Sequence, residues 1–146
     1  HAAGAGENET PMTDETDIRA TGGCLCGAVR YEVRGPLNDV SLCHCSQCRR
    51  THGHVGAYTN TPIDAFHLTE SQGLKWYRSS ASARRGFCGV CGASLFYAPS
   101  EGDRMAIAAG SIDLPTGLKC VSHLFVDDAA DYYTLDDDLE KLSGWT

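Results

Sequence analysis

No apolar run in this sequence approaches the roughly 20 residues that cross a bilayer as a helix, so no helical membrane span is expected. The opening HAAGAGENET lacks a charged start followed by an apolar stretch, so no secretory signal is read there and a cytoplasmic protein is expected. Basic charge is scarce as well, with 12 Lys and Arg against 19 Asp and Glu, a formal net charge of -7. Nucleic-acid affinity comes mostly from Lys and Arg that neutralise phosphates, so nucleic acid is not an expected partner. The acids crowd toward the C-terminal end, at Asp127, Asp128, Asp131, Asp136, Asp137, Asp138 and Glu140, and read as a solvated surface. Helical periodicity is sparse, with short candidates only at 46–51 and 136–142.

What is present fits one domain: 146 residues, 42% hydrophobic and 21% charged. Residues 1–17 show no apolar periodicity and read as a flexible tail, with Met12 a candidate native start and residues 1–11 a cloning remnant. Residues 18–146 are then expected to form a single domain. Val29, Tyr31 and Val33 alternate with Ala28, Arg30 and Glu32, the period-two pattern of a half-buried strand. The segments 54–58, 74–78, 94–98, 105–109 and 120–126 read the same way, rich in aromatic or branched residues. Sixteen glycines suit many turns between them. The expected architecture is mainly β, a folded pair of sheets or an open barrel.

Eight cysteines permit either disulfides or metal sites, and their spacing separates the two. Cys24-Leu25-Cys26, Cys43-His44-Cys45-Ser46-Gln47-Cys48 and Cys88-Gly89-Val90-Cys91-Gly92 are tight clusters, whereas secreted disulfide frameworks scatter their cysteines. Structural zinc takes four ligands in a tetrahedron. Cys88 and Cys91 reach one metal from a single turn, in which Gly92 can take a positive φ and backbone N–H groups can face the sulfurs. Cys24 and Cys26, at a bent strand end before Gly27, can complete that site. Cys43, Cys45 and Cys48 are then three ligands with an open fourth position, the arrangement of catalytic zinc sites. Spacing leaves two alternatives: His44, His52 or His54 closes the second tetrahedron, or Cys43 and Cys45 join the Cys88/Cys91 turn instead. Cys120 reads as a small buried hydrophobe, and no role is assigned to His67 or His123.

Three thiolates make zinc a weak Lewis acid for generating hydroxide but a good holder of a fourth sulfur, since a coordinated thiol is deprotonated. Such a centre needs nearby cations. Arg49 and Arg50 follow Cys48, and Arg84 and Arg85 precede Cys88; arginines of this kind can also hold the carboxylates of a peptide-like thiol such as glutathione.

The runs GGCLCGAVRY (22–31), CHCSQCRR (43–50) and FCGVCG (87–92), with GSID (110–113) and HLFV (123–126), resemble the glutathione-dependent formaldehyde-activating enzyme family, which includes the centromere protein V group. The resemblance covers about residues 21–133. It implies an Mss4-like β fold braced by zinc and two zinc positions: a structural one on Cys24, Cys26, Cys88 and Cys91, and a catalytic one on Cys43, Cys45 and Cys48. It also implies carbon–sulfur lyase chemistry, run toward S-(hydroxymethyl)glutathione from glutathione and formaldehyde. Arg49 and Arg50 are the expected substrate contacts. Leu25 stands where the family often has histidine, and Tyr132-Tyr133 where it often has tryptophan.

The competing expectations are a noncatalytic zinc-braced module that binds a protein partner through the acidic stretch, and a redox or metal-buffer role in which the three-cysteine site oxidises.

Overall fold

The computed structural model describes residues 17–145, so the reading of the segment before Asp17 as a tail starting natively at Met12 lies outside the described residues. Strands dominate. β1 (Ala20–Gly23), β2 (Arg30–Val33) and β5 (Phe66–Glu70) form a three-stranded antiparallel sheet in the order β1-β2-β5. The other strands are β3 (Val40–Cys43), β4 (Gly56–Pro62), β6 (Leu74–Ser80), β7 (Ala83–Cys88), β8 (Ser94–Pro99), β9 (Arg104–Ala108), β10 (Cys120–Leu124) and β11 (Glu140–Lys141). They make an eight-stranded sheet, ordered β11-β10-β3-β4-β9-β8-β7-β6. The single α-helix among the described residues, α1 (Ser46–His52), connects β3 to β4.

The alternation at Val29, Tyr31 and Val33 is that of a strand with one face fully inside, for all three side chains are buried. They meet Leu95 and Phe96 of β8 and Ile107 of β9, so the core lies between the two sheets. Phe96 is its centre. Its ring lies 5.4 Å from Tyr31 and 5.0 Å from Phe66, both edge-on, the geometry aromatic quadrupoles prefer. The buried Tyr31 hydroxyl is satisfied by Ser111 Oγ at 2.7 Å. Gly22 packs against that hydroxyl and the Ser111 carbonyl, where a Cβ would collide with both. The three-stranded sheet is further tied down by Asp113, which accepts from Thr21 Oγ1 at 2.7 Å and pairs with Arg30 at 2.6 Å.

Two elements depart from the sequence reading. The segment 136–142 is not helical: Asp137 accepts from the Leu139 N–H, Lys141 Nζ donates to the Asp137 and Leu139 carbonyls, and the short β11 follows. Side chains that bond the backbone locally offer it an alternative to the helix ladder. Cys120 is exposed rather than buried. A bulge between Cys120 and Ser122 breaks the strand's alternation, and the run Ser122, His123, Leu124 is buried instead. β1, β3, β5 and β7 carried no readable alternation; β7 (ARRGFC) is paired on both sides, with β6 and β8.

Truncating the central ring tests this core. Phe96→Ala is expected to cost about 3–5 kcal/mol, and Phe96→Leu, which keeps more volume, less than half of that. The measurement is the urea midpoint of zinc-saturated protein at unchanged slope.

Candidate metal centre

Seven of the eight cysteines gather into two clusters, four plus three, with the sulfurs in each cluster within 4.8 Å of one another. Cys24 and Cys26 lie just past β1, Cys88 ends β7, and Cys91 lies on the turn that leads to β8. Residues 62 apart in sequence thereby meet: Cys26 Sγ is 3.8 Å from Cys88 Sγ and 3.7 Å from Cys24 Sγ. A tetrahedron of sulfurs about 2.3 Å from a zinc ion has edges of about 3.8 Å, so these separations fit one metal.

The turns that present the sulfurs are built as the sequence anticipated. Gly92 and Gly27 have φ of 82° and 87°, left-handed values that a side chain would strain. The Val90 and Cys91 N–H groups both donate to Cys88 Sγ at 3.4 Å, and the Val29 N–H donates to Cys24 Sγ at 3.3 Å. Cys91 is held down to about 6 by backbone N–H groups, chiefly that of Ala93 and then that of Cys26. Donors aimed at sulfur favour the thiolate, which is the form that ligates metal.

The three-sulfur cluster lies at the junction of β3 and α1. Cys43 ends β3, Cys45 caps α1 by accepting the Cys48 N–H at 3.3 Å, and Cys48 lies in the first turn. Cys43 and Cys48 are buried, and Cys45 is half-buried. A hydrogen bond from Cys43, and then one from Arg85, pull the Cys48 thiol down to about 6, while Cys43 itself is pushed up by the same partnership.

Arg85 is the cation of this cluster. It is 7% exposed, and its guanidinium donates to Gln47 Oε1 at 2.8 Å, Tyr58 Oη at 3.2 Å and Cys48 Sγ at 3.6 Å. It also lies 4.9 Å over the Tyr97 ring. Arg84, one residue earlier and on the opposite face of β7, is exposed and covers Trp76 at 3.9 Å. Arg50 is exposed on α1 and Arg49 half-buried; neither lines the cavity beside the cluster. The two arginines that follow Cys48 in sequence are thus not the cation that faces its sulfur, because successive helix positions diverge by about 100°.

That cavity has a volume of about 590 Å³, with all three cysteines and Arg85 in its wall. No histidine joins either cluster among the described residues. His52 Nε2 bonds the Tyr58 hydroxyl at 2.7 Å, and His54 Nδ1 bonds that of Tyr132 at 2.6 Å. His44 is buried and has both ring nitrogens engaged, Nδ1 with the Tyr133 hydroxyl at 2.5 Å and Nε2 with His123 Nδ1 at 2.8 Å. His123 Nε2 in turn faces Asp137 Oδ2 at 2.9 Å. The carboxylate orders the chain: His123 donates to Asp137, His44 donates to His123, and Tyr133 donates to His44. Burial holds His44 below the ordinary histidine range, which keeps it neutral in this role. The residue between Cys43 and Cys45 is thereby clamped to β10 and the C-terminal segment.

Replacing Arg85 by Met keeps an apolar stem and removes the charge. The three-sulfur cluster is then expected to bind zinc about 10–100-fold more weakly, as loss of a group supporting a ligand does elsewhere, while the four-sulfur cluster keeps its affinity. Chelator competition that found equal affinities before and after the change would show that Arg85 does not support the cluster.

Comparison with known proteins follows the same residues. An uncharacterized lyase of Schizosaccharomyces pombe is 32% identical over 87 residues, 56% of this chain and 58% of that protein, so the chain spans less than two thirds of that relative's length. A crystal structure of a Rhodobacter sphaeroides protein matches with a TM-score of 0.55 at 25% identity, over 68% of this chain and 97% of that one. The profile described as glutathione-dependent formaldehyde-activating enzyme matches residues 19–128, a span that holds all eight cysteines. With that match over most of its length, the chain belongs to the glutathione-dependent formaldehyde-activating enzyme family.

Proposed function

We propose that the chain is a zinc-dependent enzyme of carbon–sulfur chemistry that adds a thiol to formaldehyde or a related small electrophile. In the family's named reaction that thiol is glutathione. Cys24, Cys26, Cys88 and Cys91 would hold a structural zinc, and Cys43, Cys45 and Cys48 a second one with a position left for substrate. The observation that carries this reading is the cavity: among the described residues the three-sulfur cluster has no fourth protein ligand and opens onto a space large enough for a small molecule.

When bound at the three cysteines, zinc supplies a position that favours the thiolate form of an incoming thiol at neutral pH. The chain's own groups do the rest. Arg85 sets a positive charge against sulfurs that would otherwise repel a further thiolate. Tyr58, Gln47 and the Tyr97 face hold that guanidinium in place. In the addition a carbon–sulfur bond forms as the carbonyl π bond breaks, and the proton lost by the thiol is balanced by the one gained at the new hydroxyl. Nothing is oxidised or reduced, and the reverse direction is the lyase reaction.

A noncatalytic zinc module is the second reading, favoured by the exposed tips of the four-sulfur site, where Leu25 is 89% and Val90 73% exposed. It gives no account of the cavity.

The unmodified chain is expected to hold about two zinc ions and to bind a thiol in their presence. Cys45→Ser keeps a hydroxyl that can cap α1, so the variant is expected to fold, retain the four-sulfur zinc, and lose both the second zinc and thiol binding. Elemental analysis with calorimetry reads both quantities. Failure of every thiol to bind a chain that holds both zinc ions would sink the enzyme reading.

A further inference from the structure

Of the three histidines near the three-sulfur cluster, His52 is the one placed to close it. Cys48 and His52 stand one turn apart on α1, the i, i+4 spacing that puts two side chains on one helix face. That face packs against Gly56 of β4: a Cβ added there would lie 3.1 Å from Cys48 Sγ and 3.0 Å from His52 Cδ2, the ring carbon bonded to Nε2. Sulfur and imidazole are thus neighbours across a residue that has no side chain. His44 offers no such choice, since both its ring nitrogens are bonded elsewhere, and His54 lies beyond the helix, past Gly53. Yet His52 takes no part in the cluster and is absent from the wall of the cavity that Cys43, Cys45 and Cys48 line.

Its Nε2 is bonded instead to the Tyr58 hydroxyl, at 2.7 Å. That hydrogen bond has a direction. A guanidinium only donates, so Tyr58 Oη accepts from Arg85 Nη1 at 3.2 Å, and its own proton is left for His52 Nε2. The nitrogen's lone pair, which a metal would need, is then in use. The same guanidinium reaches Cys48 Sγ at 3.6 Å, so Arg85, Tyr58 and His52 form one ordered chain beside the cluster. Resting on the reading of the three cysteines as a zinc site open to substrate, we infer that Tyr58 is a positioning residue. It holds His52 off the cluster and so reserves the fourth ligand place for an incoming thiol. A chain without that hydroxyl presents three sulfurs and one imidazole, the donor set of a closed structural zinc.

Two variants test this. Tyr58→Phe removes the hydroxyl and keeps the ring; Tyr58→Phe/His52→Phe removes the freed imidazole as well. Each chain is titrated with zinc against a chelator, and each zinc-loaded chain with glutathione and with mercaptoethanol by calorimetry. On Tyr58→Phe the three-sulfur cluster is expected to bind zinc about tenfold more tightly, the order by which changes around a ligand set move metal affinity, and thiols about tenfold more weakly. The double variant is expected to return both affinities toward those of the unmodified chain. Loss of the Arg85–Tyr58 hydrogen bond is common to the two variants, so this reversal belongs to His52. Cobalt in place of zinc reads the donor set: thiol is expected to add sulfur-to-metal charge-transfer absorption on the unmodified and double-variant chains, and none on Tyr58→Phe. A zinc affinity on Tyr58→Phe that is unchanged or lower would overturn the inference and leave thiol addition standing. So would a loss of thiol binding that the double variant fails to restore, since Tyr58 would then act through Arg85. If the unmodified chain holds both zinc ions and binds neither thiol, the open-site reading itself falls, and this inference with it.

Discussion

Four sulfurs carried by segments of both sheets converge to within 4.8 Å of one another, placed to tie the sheets together on a shared metal ion. Cys24 and Cys26 leave the three-stranded sheet, and Cys88 and Cys91 leave the eight-stranded one, so the cluster is a joint between them. Zinc binding to such sites contributes about 10–16 kcal/mol in small domains, the same order as the whole stability of a globular protein. The aromatic core around Phe96 lies between the sheets that this joint brings together. A metal held at this joint would therefore be coupled to that packing, since loss of either would loosen the surface against which the other is ordered.

The three-sulfur cluster offers the same donor chemistry in different surroundings. In the four-sulfur cluster, backbone N–H groups from tight glycine turns face the sulfurs, and the loop tips, Leu25 and Val90, face water. In the three-sulfur cluster the compensating charge comes from a side chain on a distant strand, Arg85, and the remaining side opens on a cavity. On the proposed reading, the four-sulfur set would close a site that braces the fold, and the three-sulfur set, short of one ligand and balanced by an external cation, would be poised to accept one. The histidines nearest to it do not complete it, since hydrogen bonds to tyrosines and to His123 direct their rings elsewhere.

Much of this was legible in the chain itself, and the parts that were not share one cause. Local spacing identifies cysteine turns because both ligands of a turn arise within a few residues, and it identifies β2 because a buried face imposes alternation on Val29, Tyr31 and Val33. It misses β7, whose pairing comes from its neighbours, and it reads Cys120 as buried because a bulge shifts the phase of β10 without leaving a mark in composition. It offers Arg49, Arg50, Arg84 and Arg85 as cations for the sulfurs without distinguishing among them, and the guanidinium that touches Cys48 is that of Arg85, 37 residues away.

The sequence by itself determined that this is a β protein with three tight cysteine clusters suited to metal, because period-two burial and chelation from one turn are short-range constraints that few residues can satisfy. Only the tertiary structure decided how those clusters combine into sets of four and three, which arginine faces the set of three, and that His44 is tied through His123 to Asp137. Those are long-range choices, made when the sheets fold over one another and bring together groups whose separation along the chain carries no signal of their contact.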